Sequence, residues 1–173
     1  MIAGPNVTLT AIRRSDSPAL YAWVNDPAII RGSAPYRPVH EPAHEAWLAG
    51  VASDPSRIVF GIRPTGEDTL IGLLQLIDIH EVHRSAELVI RIGAPGQQGR
   101  GLGTEAVGLA LRFAFDTRNL QRVWLRVFAD NAAAVRCYEK AGFVREGVMR
   151  RAAFIEGVWT DIVVMAALAK QAS

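Results

Sequence analysis

The sequence predicts a mixed α/β fold: one mostly antiparallel sheet of about seven strands with helices on both faces. Two observations predict it. Short apolar runs bounded by turn residues alternate with stretches of helical periodicity, in the order strand, two helices, three strands, helix, strand, helix, two strands. The 173 residues are half apolar and 21% charged, which suits one domain over residues 1–173 with a real core. No repeat, low-complexity segment or linker interrupts them.

The elements follow in order. Val7 to Ile12 alternates as a first strand. Ser15 or Asp16 can cap a helix through Leu20, Trp23 and Val24, which Asn25-Asp26-Pro27 stops. Residues 28–40, with Gly32, Pro35 and Pro38, read as irregular, and a second short helix covers Pro42 to Val51. Ile58 to Arg63 and Leu70 to Ile79 form a hairpin around Pro64-Thr65-Gly66. After the polar loop Glu81 to Arg84 comes a strand from Ala86 to Ile92. Thr104 to Thr117 is a helix with polar positions three to four apart, apolar over most of its circumference. Val123 to Phe128 is a buried strand. Asn131 caps a helix over Ala132 to Ala141, and Gly142 ends it. Phe143 to Arg150 and Val158 to Leu168 are the last strands, joined through Glu156-Gly157.

Composition excludes several classes. A net charge of +2 with scattered arginines is no nucleic-acid footprint. The single cysteine, Cys137, excludes an internal disulfide and a cysteine-based zinc cluster, and reads as a small buried side chain, not a nucleophile. His80 and His83 have the spacing of a metal pair but no third ligand nearby, so a surface loop is the reading there and no metal is expected. Met-Ile-Ala-Gly-Pro-Asn shows no charged leader ahead of an apolar run, and no apolar stretch has the length of a membrane span. A cytoplasmic protein without membrane or nucleic-acid partners is the expectation.

The run Gln98-Gly99-Arg100-Gly101-Leu102-Gly103-Thr104 stands between an apolar strand and a helix. A glycine-rich turn at that junction offers free backbone N–H groups at the positive end of a helix dipole, an arrangement that holds phosphate. Glycines let a bulky anion approach the main chain, and Arg100 adds a permanent charge. The loop is not a Walker loop, because no Lys-Ser or Lys-Thr pair follows, nor a dinucleotide fingerprint, because Thr104 stands where the third glycine belongs. A pyrophosphate-bearing cofactor is the expected ligand. Further along, Asn131 and Tyr138 lie seven residues apart, nearly two helical turns, so their side chains share a face that can meet the same ligand. A tyrosine hydroxyl there can protonate a departing thiolate.

Gln98-x-x-Gly101-x-Gly103, followed by Asp130-Asn131 and by Cys137-Tyr138-Glu139-Lys140-Ala141-Gly142-Phe143, resembles the paired motifs of the GNAT N-acetyltransferase superfamily, over about Ile71 to Leu168. The resemblance implies a sheet whose central strands, Ala86 to Ile92 and Val123 to Phe128, splay to hold acetyl-CoA. It implies that main-chain groups of Ile90, Arg91 and Ile92 bond the pantetheine arm. Gln98, Gly99, Arg100, Gly101, Leu102, Gly103 and Thr104 then hold the pyrophosphate, Asn131 contacts the pantetheine region, and Tyr138 is the general acid. A substrate amine attacks the thioester directly, with a backbone N–H stabilising the developing oxyanion by about 3–4 kcal/mol.

Glu87 shares a strand face with Val89 and Arg91 and is read either as the base that takes the amine's proton or as a group that orients the acceptor or pairs with an arginine. Gly72-Leu73-Leu74-Gln75-Leu76 with His83-Arg84-Ser85-Ala86-Glu87 resembles the spermidine/diamine N-acetyltransferases, and Ala86-Glu87 also the ribosomal-protein N-terminal acetyltransferases. Residues 28–40 depart from the polyamine pattern, carrying Arg31 and Arg37 and no carboxylate before Glu41. The acceptor is therefore read as a polyamine or diamine or a protein N-terminus, with an aminoglycoside-like or amino-sugar acceptor, or a non-catalytic acyl-CoA sensor, as the rival readings. Tyr36, Trp23 and Trp47 are the candidates to touch substrate, the two tryptophans reading first as core. A homodimer is expected by analogy alone.

Overall fold

Strand pairing organises the chain into one sheet, and a computed structural model describes residues 1–32 and 36–170 of it. The strands are β1 (Ile2–Ala3), β2 (Val7–Ala11), β3 (Ile58–Pro64), β4 (Gly72–His80), β5 (Ser85–Ile92), β6 (Arg122–Phe128), β7 (Val144–Ile155) and β8 (Val158–Leu168). They lie in the order β1-β2-β3-β4-β5-β6-β8-β7. Every pairing is antiparallel except β5 with β6. The helices are α1 (Ser17–Val24), α2 (Pro27–Ile30), α3 (Glu41–Gly50), α4 (Leu102–Arg112) and α5 (Ala132–Ala141).

Side-chain alternation sorts the sheet's two faces. Leu74, Leu76, Ala86, Leu88, Val123, Leu125, Val127, Val163 and Met165 join the main core with Ala106, Val107 and Ala110 of α4 and Val135 and Tyr138 of α5. Leu73 points the other way, into a smaller cluster with Leu20 and Trp23 of α1 and Trp47 of α3. Helices therefore cover both faces.

The elements differ from the sequence expectation in four places, each with a local cause. An eighth strand, β1, is too short to show alternation; Glu105 of α4 fixes the turn after it by accepting bonds from the Asn6 and Val7 amides. At the start of the segment read as irregular, the short helix α2 opens on Pro27 of the preceding stop signal, and the Asp26 carboxylate accepts from the Ala28 amide at 2.9 Å. The long helix starts two residues earlier, at Leu102, and ends in a π turn over Phe113–Thr117. Strand β7 runs on to Ile155 because bulges and a left-handed Arg151 carry it along β8 past the expected end.

The α1 cap also differs. Asp16 holds the cap position, but its carboxylate accepts from the Arg13 amide at 2.7 Å and from Arg63 at 2.7 and 2.9 Å, a buried ion pair across the sheet. No helix among the described residues is long and apolar enough to cross a membrane.

Candidate active site

The sheet splits at the one parallel pairing among the described residues. Residues Ser85, Ala86 and Glu87 of β5 pair with Arg122, Val123 and Trp124 of β6, and there the pairing stops. Both strands continue, β5 along β4 to Ile92 and β6 along β8 to Phe128. The two halves of the sheet therefore diverge, leaving a cleft of about 950 Å³ walled by Leu88 to Ile92 and by Arg126 to Phe128. Along the β5 edge facing it, alternate peptide groups lack a partner strand and are available to a ligand.

At one end of the cleft the loop after β5 turns into α4. Gly99 and Gly101 have φ of +75° and +80°, conformations that require glycine. Gly101 is the residue before the helix, and no side chain caps it. The first-turn amides of α4 are thus left for an anion at the positive helix end. Gln98 steadies the loop by donating from Nε2 to the Ile92 carbonyl at 2.9 Å. These features fit a pyrophosphate.

Helix α5 forms the facing wall. The Asn131 side chain accepts from the Ala134 amide at 3.1 Å, the expected cap, and Gly142 closes the helix at φ +102°. Asn131 and Tyr138 both line the cleft. Tyr138 is 9% exposed, its ring edge-on to Phe143 with centroids 5.9 Å apart. Burial pushes its hydroxyl well above the ordinary tyrosine range, so the proton stays on and the group is a donor. Cys137 beside it accepts from the Thr104 hydroxyl at 3.3 Å, and burial raises its thiol likewise, which leaves it a poor nucleophile.

On the other face of the sheet stands Glu87, 4% exposed. Its two oxygens accept from Nε and Nη2 of Arg126 at 3.0 and 3.1 Å. The guanidinium also sits 5.6 Å from the Trp124 ring centroid, and Glu87 raises the Arg126 pKa by hydrogen bonding and charge. Tyr138 belongs to the α4/α5 core while Glu87 alternates away from it, so the proton donor and the carboxylate meet the cleft from opposite sides.

Of the residues expected in the site, Glu87, Ile90, Arg91, Ile92, Gln98, Gly99, Gly101, Gly103, Thr104, Asn131 and Tyr138 line the cleft together. Five do not. Leu102 is buried in the core. Arg100 donates to Gln97 Oε1 at 2.6 Å and faces a separate hollow beside Pro5 and Asn6. Trp23 and Trp47 belong to the smaller core cluster, the Trp23 indole lying flat against the backbone of Gly93. Tyr36 is 51% exposed and outside the lining.

Sequence reasoning missed Arg126, Arg136 and Lys140, which supply three of the cleft's four cations; Arg91 is the fourth, and Glu87 is the one carboxylate among the described lining residues. Arg136 and Lys140 were legible as a four-residue spacing on the tyrosine's helix. Among the described residues no cluster of three or more His, Cys, Asp or Glu has metal-site geometry.

A phosphate-ready helix entry beside a splayed parallel pair forms a cleft that fits a pyrophosphate-bearing cofactor. The Acetyltransferase (GNAT) domain family matches residues 6–144, and the chain belongs to that family. The crystal structure of spermidine N-acetyltransferase from Vibrio cholerae in complex with CoA and spermine superposes with a TM-score of 0.88 at 32% identity, covering 95% of this chain and 96% of that one. Spermidine N(1)-acetyltransferase of Vibrio cholerae serotype O1 is 42% identical over 96 residues, 56% of this chain and 55% of the relative. The Escherichia coli K12 enzyme of the same name is 38% identical over 112 residues, 65% of this chain and 59% of the relative. The chain thus spans under two thirds of the length of these two curated relatives.

Proposed function

We propose that this protein transfers the acetyl group of acetyl-CoA to a primary amine of a polyamine in a ternary complex. The observation that carries the chemistry is that a buried, proton-bearing Tyr138 and the carboxylate of Glu87 line the same β5–β6 cleft from its two sides. The polyamine rests on the 0.88 likeness to an enzyme holding CoA and spermine.

Acetyl-CoA supplies the activated thioester. Gly99, Gly101 and the first-turn amides of α4 bind its pyrophosphate, with Arg136 and Lys140 as counter-charges along the same wall. The open edge of Leu88–Ile92 takes the pantetheine arm and aims the acetyl group at the apex of the cleft. Tyr138 donates its proton to the leaving sulfur. The acceptor enters from the Glu87 face. Because both Glu87 oxygens already accept from Arg126, the carboxylate serves there as the counter-charge that orients the amine through its remaining lone pairs, and the proton departs through water.

Free-thiol release from acetyl-CoA tests this, with spermidine, a diamine, N-terminal peptides and an aminoglycoside as acceptors. The expected result is release with spermidine that Tyr138→Phe abolishes. Release with peptides or the aminoglycoside alone would move the acceptor class, and tight CoA binding without any release would make the protein a sensor.

A further inference from the structure

Glu87 is the sole carboxylate among the described residues that line the cleft, and Arg126 occupies it. The pairing is bidentate, the geometry in which a guanidinium competes best for a carboxylate. Arg126 is also half-exposed, its side chain 51% accessible against 6% for Glu87, so the cation and not the anion fronts the space an acceptor enters. Asp78, at the bulge of β4 where Ile77 pairs with Glu87, acts on Arg126 as a second negative charge. Arg126 thus holds the cleft's carboxylate in a bidentate pair at the place where an ammonium group would otherwise meet it.

We infer that Arg126 is a specificity-determining residue that masks Glu87, lowering affinity for acceptors in proportion to their positive charge. The inference rests on the polyamine reading above and deepens it. The first ammonium meets Glu87 only through the lone pairs Arg126 leaves open, and each further ammonium is repelled by a guanidinium it cannot displace without breaking two hydrogen bonds. Acceptors with one cationic centre lose least. A guanidinium that merely braced Glu87 would produce no dependence on acceptor charge.

Calorimetric titration of spermidine and of butylamine into the full chain saturated with CoA reads the effect directly. Arg126→Gln should tighten spermidine about tenfold, the worth of one charge-assisted hydrogen bond, and butylamine by clearly less. Arg126→Lys keeps a cation in place and should preserve the wild-type ratio between the two ligands. Adding Glu87→Gln to Arg126→Gln should erase the gain. Unchanged or weaker spermidine binding by a folded Arg126→Gln protein would overturn the proposal.

Where Arg126→Gln fails to fold, Glu87→Gln alone decides. It leaves Arg126 uncompensated and must weaken spermidine more than butylamine; equal weakening would overturn the masking role. Wild-type acetylation of spermidine is a separate readout. Its absence removes the polyamine reading, while the charge-dependent difference between variants still settles what Arg126 does.

Discussion

Replacing Tyr138 with phenylalanine removes one oxygen from a well-packed ring. The edge-on contact to Phe143, at 5.9 Å between centroids, survives the change, so the core should hold its shape and the melting temperature should move little. Neither the glycine loop nor the uncapped start of α4 depends on the hydroxyl, so CoA affinity should stay within about twofold. What disappears is the donor. A positioned general acid contributes about 10² to 10⁴ in rate, or about 3 to 5 kcal/mol of barrier. The lower part of that range applies, because a phenol is already protonated at neutral pH and burial makes it a weaker acid, while Cys137, itself raised by burial, is a poor substitute. The assay is thiol release under saturating acetyl-CoA and acceptor, paired with a calorimetric dissociation constant for CoA. A kcat within threefold of wild type, with the constant unchanged, would show that another group protonates the sulfur.

Three other outcomes follow from the same geometry. Because the folded state holds the Tyr138 pKa above its unfolded value, the stability contributed by the neutral phenol is complete below about pH 10 and is lost as pH rises beyond it; alkaline thermal scans should show Tyr138→Phe losing less stability above that pH than wild type. At Gly103 a Cβ would meet Ile92 Cγ1 at 3.8 Å and Cys137 Sγ at 3.9 Å, ordinary contact; Gly103→Val should therefore fold normally, yet weaken CoA tenfold or more in titration because its methyls enter the anion's approach. At Gly93 a Cβ would lie 2.2 Å from the Trp23 ring, so Gly93→Ala should cost about 3 kcal/mol in chemical denaturation.

Local signals were read well and distant ones poorly. Asn131, the apolar spacing through Val135 and Tyr138, and Gly142 all belong to one helix, and start, face and stop of α5 appear where those residues set them. The glycine loop was equally legible, since a strand end, left-handed glycines and a helix start are neighbours in sequence. The four-residue α2 has no room for periodicity, and only the Asp26-Pro27 pair marks it. That Glu87 pairs with an arginine was one of the readings the sequence allowed, but that the arginine is Arg126 was hidden for a different reason. It depends on the register of two parallel strands joined through α4, and alternation within either strand does not give that register. The placement of Arg100 was illegible for a related reason: it is close in sequence to the loop, while its bond to Gln97 turns it to the neighbouring hollow.

The placement of the reacting groups follows from where the strand pairing ends. Had β5 and β6 stayed paired to their ends, the polar edges of Leu88–Ile92 and Arg126–Phe128 would have satisfied each other and no cleft would exist. Each strand can leave the other because a second neighbour, β4 or β8, keeps its opposite edge bonded. The gap therefore opens through the sheet from face to face, and parity along the strands decides what each face presents. Ala86 and Leu88 turn toward α4 and α5, where the anion site and Tyr138 lie; Glu87 and Arg126 turn away. Under the proposed function, cofactor and acceptor need not share an entrance. The acetyl group can pass from one to the other at the apex without a covalent stop on the enzyme, consistent with the poor nucleophilicity of Cys137, the only cysteine in the chain.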